Sequence, residues 1–192
     1  MKLKFTLLIT YIAIWSYLAI EPWYRDDWLL ENLLVFMAAP ILVWADKRIG
    51  FSPLSLWMLF IFFTLHAIGA HYTYSEMPWF SSITDFFEFK RNHYDRLIHF
   101  LYGLLLFLPF YEVFLPVQPS KRTALLFTFL FLFASSGVYE VIEWLATETT
   151  HAELGTAFLG TQGDQWDAQK DMLCGHLGSL LGLLFWYRLK RQ

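Results

Sequence analysis

Cysteine is nearly absent from this sequence. Cys174 stands alone inside an apolar run, so neither a disulfide nor a thiolate metal site is available, and its expected role is helix packing. Charge is scarce as well: 16% of the 192 residues are Asp, Glu, Lys or Arg, against 57% hydrophobic and 20% aromatic, which excludes a water-soluble domain of ordinary composition. Several chemistries are also missing. The chain has no His-Glu-x-x-His helix, no Ser-His-Asp context, no phosphate-cradling glycine loop and no basic patch for nucleic acid. Internal repeats and disordered linkers are lacking too.

What the chain has in abundance is long apolar runs. They cover Leu3 to Ile20, Trp28 to Ala45, Leu54 to Ala70, Tyr94 to Leu115, Thr123 to Leu145 and Met172 to Tyr187. Each is about as long as a helix needs to cross ~30 Å of hydrocarbon. Pro40 and Pro109 fall inside two of them, where bends are expected. If the runs alternate across a bilayer, Lys2, Lys4, Lys47, Arg48, Lys121, Arg122, Arg188, Lys190 and Arg191 share one side, nine of the 14 basic residues, and that side is the cytoplasm. Nearly all carboxylates fall opposite. Tryptophans cluster near the ends of the runs as an aromatic belt, with Trp15 alone in mid-span. No small-residue cleavage site follows the first run, so it reads as a retained helix. The expectation is one domain over residues 1–192: an all-α polytopic membrane helix bundle of about six transmembrane helices, with N and C termini cytoplasmic.

Cytoplasmic connections are short, Asp46 to Pro53 and Leu115 to Arg122, whereas length accumulates outside, in residues 72–93 and 146–171. In the first outer loop Phe80, Ile83, Phe86, Phe87 and Phe89 alternate with polar residues, predicting a short amphipathic helix in the interface, either a cover over the bundle or a lid. The second passes through His151, placed in solvent, and Gly155, Gly160 and Gly163, before Asp164, a candidate cap for the last helix. Gly178 and Gly182 then form a small-xxx-small pair suited to close helix approach.

Ionisable residues inside spans are costly and usually face a bundle interior or a water-filled cavity. His66, His99, Glu140 and His176 each fall within roughly 8 Å of the outer boundary of their helices, at a ~1.5 Å rise per residue. His71, His93, Asp95, Arg96, Glu143, Asp164, Asp167 and Asp171 sit at similar height. Asp95 with His99, Glu140 with Glu143, and Asp167 with Asp171 are three or four residues apart and share helix faces. Six carboxylates, Asp95, Glu140, Glu143, Asp164, Asp167 and Asp171, then stand against Arg96 and Lys170, a surplus that calls for protonation, water or a bound cation. Glu112 lies at the cytoplasmic end of its span and is left out of this site.

Four of these stretches are Gly69-Ala-His-Tyr-Thr-Tyr74, Asn92-His-Tyr-Asp-Arg-Leu-Ile-His99, Tyr139-Glu-Val-Ile-Glu-Trp144 and Phe158-Leu-Gly-Thr-Gln-Gly-Asp-Gln-Trp-Asp-Ala-Gln-Lys-Asp-Met172. In them the chain resembles the YjdF family of bacterial inner-membrane proteins, a family of unknown function. The resemblance runs from the second helix onward and implies a multi-pass inner-membrane location, without a substrate.

The leading expectation is a divalent metal held in an outer-leaflet cavity by some of His71, Asp95, His99, Glu143, Asp164, Asp167, Asp171 and His176. Glu140 would serve as general base and Arg96 as a stabiliser of anionic oxygens, in hydrolysis or group transfer on a lipid or envelope-linked substrate. The rivals are a proton- or ion-coupled transporter, which needs a polar path through the lower halves of the spans, and a structural network of polar helix contacts. Partners are membrane lipids, not nucleic acid.

Overall fold

The computed structural model describes residues 2–149 and 161–189. Its helices are α1 (Lys2–Leu18), α2 (Arg25–Ile49), α3 (Pro53–Tyr72), α4 (Pro78–Phe86), α5 (Tyr94–Leu105), α6 (Phe107–Phe114), α7 (Lys121–Thr149) and α8 (Asp167–Leu189). His151, Gly155, Gly160, Lys190 and Arg191 lie outside the described residues.

The bundle buries charged and polar side chains beside an apolar core of Phe62, Leu106, Phe107 and Leu132, and turns large apolar side chains outward. Asp27, Glu31, Asn32, His66, His99, Glu140, Glu143, Asp167 and Asp171 are buried, while Leu29, Leu33, Phe36, Leu126, Leu173 and Leu177 are exposed. Water would reject that distribution and hydrocarbon favours it, because backbone groups are satisfied within helices and apolar side chains meet lipid. Five helical stretches are long and apolar enough to cross a membrane: Arg25–Ile49, Pro53–Tyr72, Tyr94–Val117, Lys121–Glu148 and Asp167–Leu189. The protein is a polytopic membrane protein. The first expected span is shorter than the others: α1 has 17 residues, ~25 Å at 1.5 Å per residue. It leans on α3, with Tyr11 edge-on to Phe63, and mid-span Trp15 donates to Asn32 Oδ1 at 2.6 Å.

The two prolines behave differently. Pro109 lacks the N–H that would pair with Leu105, and the helix is interrupted at Leu106, dividing α5 from α6. α2 runs through Pro40 without interruption. At the tight turn from α2 to α3, Gly50 adopts φ 65°, Ser52 caps α3 by accepting from Ser55 N–H, and Glu112 accepts the Ser52 N–H at 3.1 Å.

α5 and α8 touch backbone to backbone. A Cβ on Gly103 would fall 2.1 Å from the Gly175 carbonyl oxygen, and one on Gly178 2.0 Å from that of Phe100. Gly182 serves differently, seating the Phe107 ring. α4 is the short amphipathic helix expected in the outer loop, its Trp79, Ile83 and Phe86 exposed.

Candidate functional site

The start of α5 and the start of α8 are held together first by the Gln162 side chain on the Asn92 main chain. Gln162 Oε1 accepts Asn92 N–H at 2.8 Å while its Nε2 donates to the Asn92 carbonyl at 3.0 Å. Asn92 Oδ1 accepts Tyr94 N–H, and its amide donates to the Met77 carbonyl. Gly163, at φ 84°, turns the chain, and Asp164 Oδ1 accepts Trp166 N–H at 3.1 Å, closing a turn just before α8.

Ion pairs then fix the junction. Asp167 accepts from both Arg91 and Arg96, the latter at 3.1 Å; Arg96 also reaches Asp164 at 2.8 Å and lies 3.6 Å from Asp171. Lys170 donates to Asp164 at 2.5 Å. Lys170, the Trp166 N–H and Arg96 together hold the Asp164 carboxyl well below the usual carboxylate range. The surplus of acid counted from the sequence is thus smaller on this side, because Arg91, left out of that count, is buried here with 7% exposure.

Across from this network lies an acid-rich group with one imidazole. His99 Nδ1 is 3.5 Å from Glu140 Oε1, and its Nε2 is 3.5 Å from Asp95 Oδ1. The ligand atoms of His99, Glu140 and Glu143 all lie within 4.8 Å of one another, and so do those of Asp95, Asp167 and Asp171. The Tyr139 ring packs against His99 with centroids 5.7 Å apart. Glu31 Oε2, Glu140 Oε1 and Asp171 Oδ1 are buried without a hydrogen-bond partner. At this depth an unpaired carboxylate oxygen costs several kcal/mol unless it is protonated or meets a cation.

Asp95, His99, Glu140, Glu143, Asp167, Asp171, Asp164 and Arg96 therefore converge as the sequence suggested. His71 and His176 do not join them. His71 Nδ1 donates to the Leu18 carbonyl at 2.8 Å, and His176 Nε2 donates to the Phe133 carbonyl while its ring stacks on Phe133. His66 donates to the Glu31 carbonyl through Nε2, leaving Nδ1 to accept from Tyr74 OH at 2.5 Å. Sequence reasoning passed over Glu31, Asp27, Arg91 and Tyr139. The signal was present for two of them: Asp27 and Glu31 are four residues apart at the outer end of the second span, the depth rule applied elsewhere.

The first motif has a local reason. A Cβ at Gly69 would lie 2.7 Å from the Tyr74 ring, so only glycine lets that ring lie on α3 and reach His66. Thr73 holds φ 62°, unusual for a β-branched residue, and donates to Asp27 Oδ2 at 2.5 Å. Gly69→Ala is expected to destabilise by about 1–3 kcal/mol through overpacking, and Tyr74→Phe by less. Thermal melts of both variants in detergent check the order; a Tyr74→Phe loss equal to that of Gly69→Ala would contradict it.

An apolar cavity of about 450 Å³ opens beneath the acid group. Glu31, Asp95, His99 and Tyr139 line its upper end, and Leu42, Phe51 and Val113 its lower end.

A family model described as "Predicted membrane protein (DUF2238)" matches residues 3–192. The inner membrane protein YjdF of Escherichia coli (strain K12) is 33% identical over 183 residues, covering 94% of this chain and 87% of that protein. No solved structure matches.

Proposed function

This chain belongs to the DUF2238 family of predicted membrane proteins, and we propose that it works in the inner membrane as a metal-dependent enzyme of the outer leaflet. It would catalyse hydrolysis or group transfer on a lipid or envelope-linked substrate. The location follows the name of the Escherichia coli relative together with the positive-inside distribution of lysine and arginine. The observation that carries the reading is the group of Glu31, Asp95, Glu140 and Glu143 around His99. In it four acids face one imidazole, Glu31 Oε2 and Glu140 Oε1 lack a hydrogen-bond partner, and the nearest guanidinium groups pair with Asp164, Asp167 and Asp171.

His99, Glu140 and Glu143 are the ligand set, a nitrogen and carboxylate oxygens of the kind that suits a divalent first-row ion. Such an ion makes a bound water nucleophilic near neutral pH. Glu140 then belongs among the ligands, and Glu31, with its open oxygen at the cavity wall, is the proton acceptor. With an ion held by His99, Glu140 and Glu143, Glu31 would take the proton of the attacking water and pass it to the leaving group as the substrate bond breaks. Arg96, surrounded by three aspartates, acts as a positioning residue that holds α8 against α5. The ion-paired half of the cluster fits the structural reading. Below the acids the cavity offers chiefly apolar side chains with Ser135 and Ser136, which disfavours a conduction path.

Elemental analysis tests this. Purified protein equilibrated with zinc, manganese or magnesium is expected to retain stoichiometric metal, and His99→Ala and Glu143→Gln to lose at least 10-fold in affinity while keeping helical circular dichroism. No retained metal under any loading condition refutes the reading.

A further inference from the structure

The cavity under the acid group is a groove with an open side. Met37 and Ile41 on α2, and Val138 and Ile142 on α7, line it and are at the same time 43–62% exposed. α2 and α7 make no extensive contact with each other there. The open flank of the cavity therefore faces hydrocarbon, and a ligand reaches it sideways from the bilayer. From Glu31 to Leu42 the groove follows α2 for eleven residues, ~16 Å at 1.5 Å per residue, about half of a ~30 Å hydrocarbon core. That is the depth of one leaflet. The carboxyl and imidazole groups sit at one end only, at the height where a lipid's linking groups lie; the hydroxyls below them, Tyr102 and Ser135, pair with each other.

Charge selects the head. Around His99 stand four carboxyl groups, Glu31, Asp95, Glu140 and Glu143, while Arg91 and Arg96 are paired with aspartates. A phosphate placed there meets carboxylates without a free guanidinium to receive it. A neutral ester or amide carbonyl meets no such repulsion.

We infer that the groove between α2 and α7 binds the hydrocarbon chain of an acyl lipid and sets its uncharged ester or amide linkage beside Glu31 and His99. This deepens the proposed enzyme reading, on which the purpose of the linkage rests; the binding of the chain stands apart from the metal.

Photo-crosslinking with an N-acyl ethanolamide bearing a mid-chain diazirine tests it on the full-length protein in lipid nanodiscs. Labelling is expected in peptides containing Met37 to Leu42 and Val138 to Ile142, at least 10-fold above that at Leu173 and Leu177 on the lipid face of α8. Excess unlabelled ethanolamide is expected to compete at least 10-fold better than hexadecyl phosphate, and inorganic phosphate not at all. Ala38→Trp, which fills the groove remote from the acids, is expected to cut the labelling at least 10-fold with metal content unchanged. Labelling spread evenly over lipid-facing helices, or indifferent to Ala38→Trp in a folded protein, overturns the inference. Hexadecyl phosphate competing as well as the ethanolamide overturns its choice of head. Glu143→Gln separates the two claims: retained groove labelling without metal supports the inference even if the enzyme reading has failed.

Discussion

Gly178→Ala will lower the stability of the bundle by about 3 kcal/mol, near the upper end for overpacked sites, whereas Gly137→Ala will be neutral or stabilising. Both glycines are in spanning helices, and alanine is the better helix former by about 1 kcal/mol, so local propensity favours both changes. Packing reverses the sign at one of them. A Cβ at Gly178 would sit 2.0 Å from the Phe100 carbonyl oxygen, while one at Gly137 would meet Met172 Sδ at 3.5 Å, ordinary contact. Backbone cannot rotate aside as a side chain does, so α5 and α8 would have to part by roughly 1.5 Å to restore van der Waals distance. Parting them also pulls Arg96 from the aspartates of α8. Thermal unfolding of both variants in one detergent is the measurement, and equal melting temperatures would show that the close crossing is not what holds α8 in place.

Asp167→Leu will cost about 3–5 kcal/mol, the range seen when one partner of a buried ion pair is removed. The carboxylate is 4% exposed and receives both Arg91 and Arg96. Without it Arg91 loses its buried bidentate partner, while Asp164 at 3.9 Å and the Asn92 carbonyl at 3.4 Å remain within its reach. The companion variant Arg91→Met/Asp167→Leu will recover most of the loss, since removing both charges removes the desolvation cost together with the attraction. In that folded double variant metal content is expected to be unchanged, because Asp167 is committed to guanidinium groups and stands outside the proposed ligand set of His99, Glu140 and Glu143. A single-variant cost under about 1 kcal/mol would place the pair with exposed salt bridges. Loss of metal in the folded double variant would return Asp167 to the ligand set.

Much of the site was legible because depth is a one-dimensional coordinate. Counting residues from the end of an apolar run places His99, Glu140 and Asp171 in the same outer slab, and helical rise makes that count reliable to within a turn or so. Rotation about each helix axis is not recoverable in this way. His176 shares the slab, yet its helix turns it onto Phe133, and His71 is spent on a carbonyl at the end of α1. Arg91 was missed because it precedes α5 and reads as loop; only Asn92 and Gln162, joined across seventy residues, bring it over α8. Glu31 shares the outer slab and stands four residues after Asp27, but the rotation that buries it beside the acids of α5 and α7 is set by packing.

From its sequence alone the chain determined that it is a polytopic helical membrane protein with acids and imidazoles gathered toward one surface. Composition and run length answer to the solvent, and a bilayer admits few solutions. Which acids are neutralised by arginine, which are left around His99, and that a lipid-deep groove opens beneath them were decided by tertiary structure. Those outcomes depend on how helices rotate and how closely glycine lets them approach, and both are set by contacts between residues far apart in the chain.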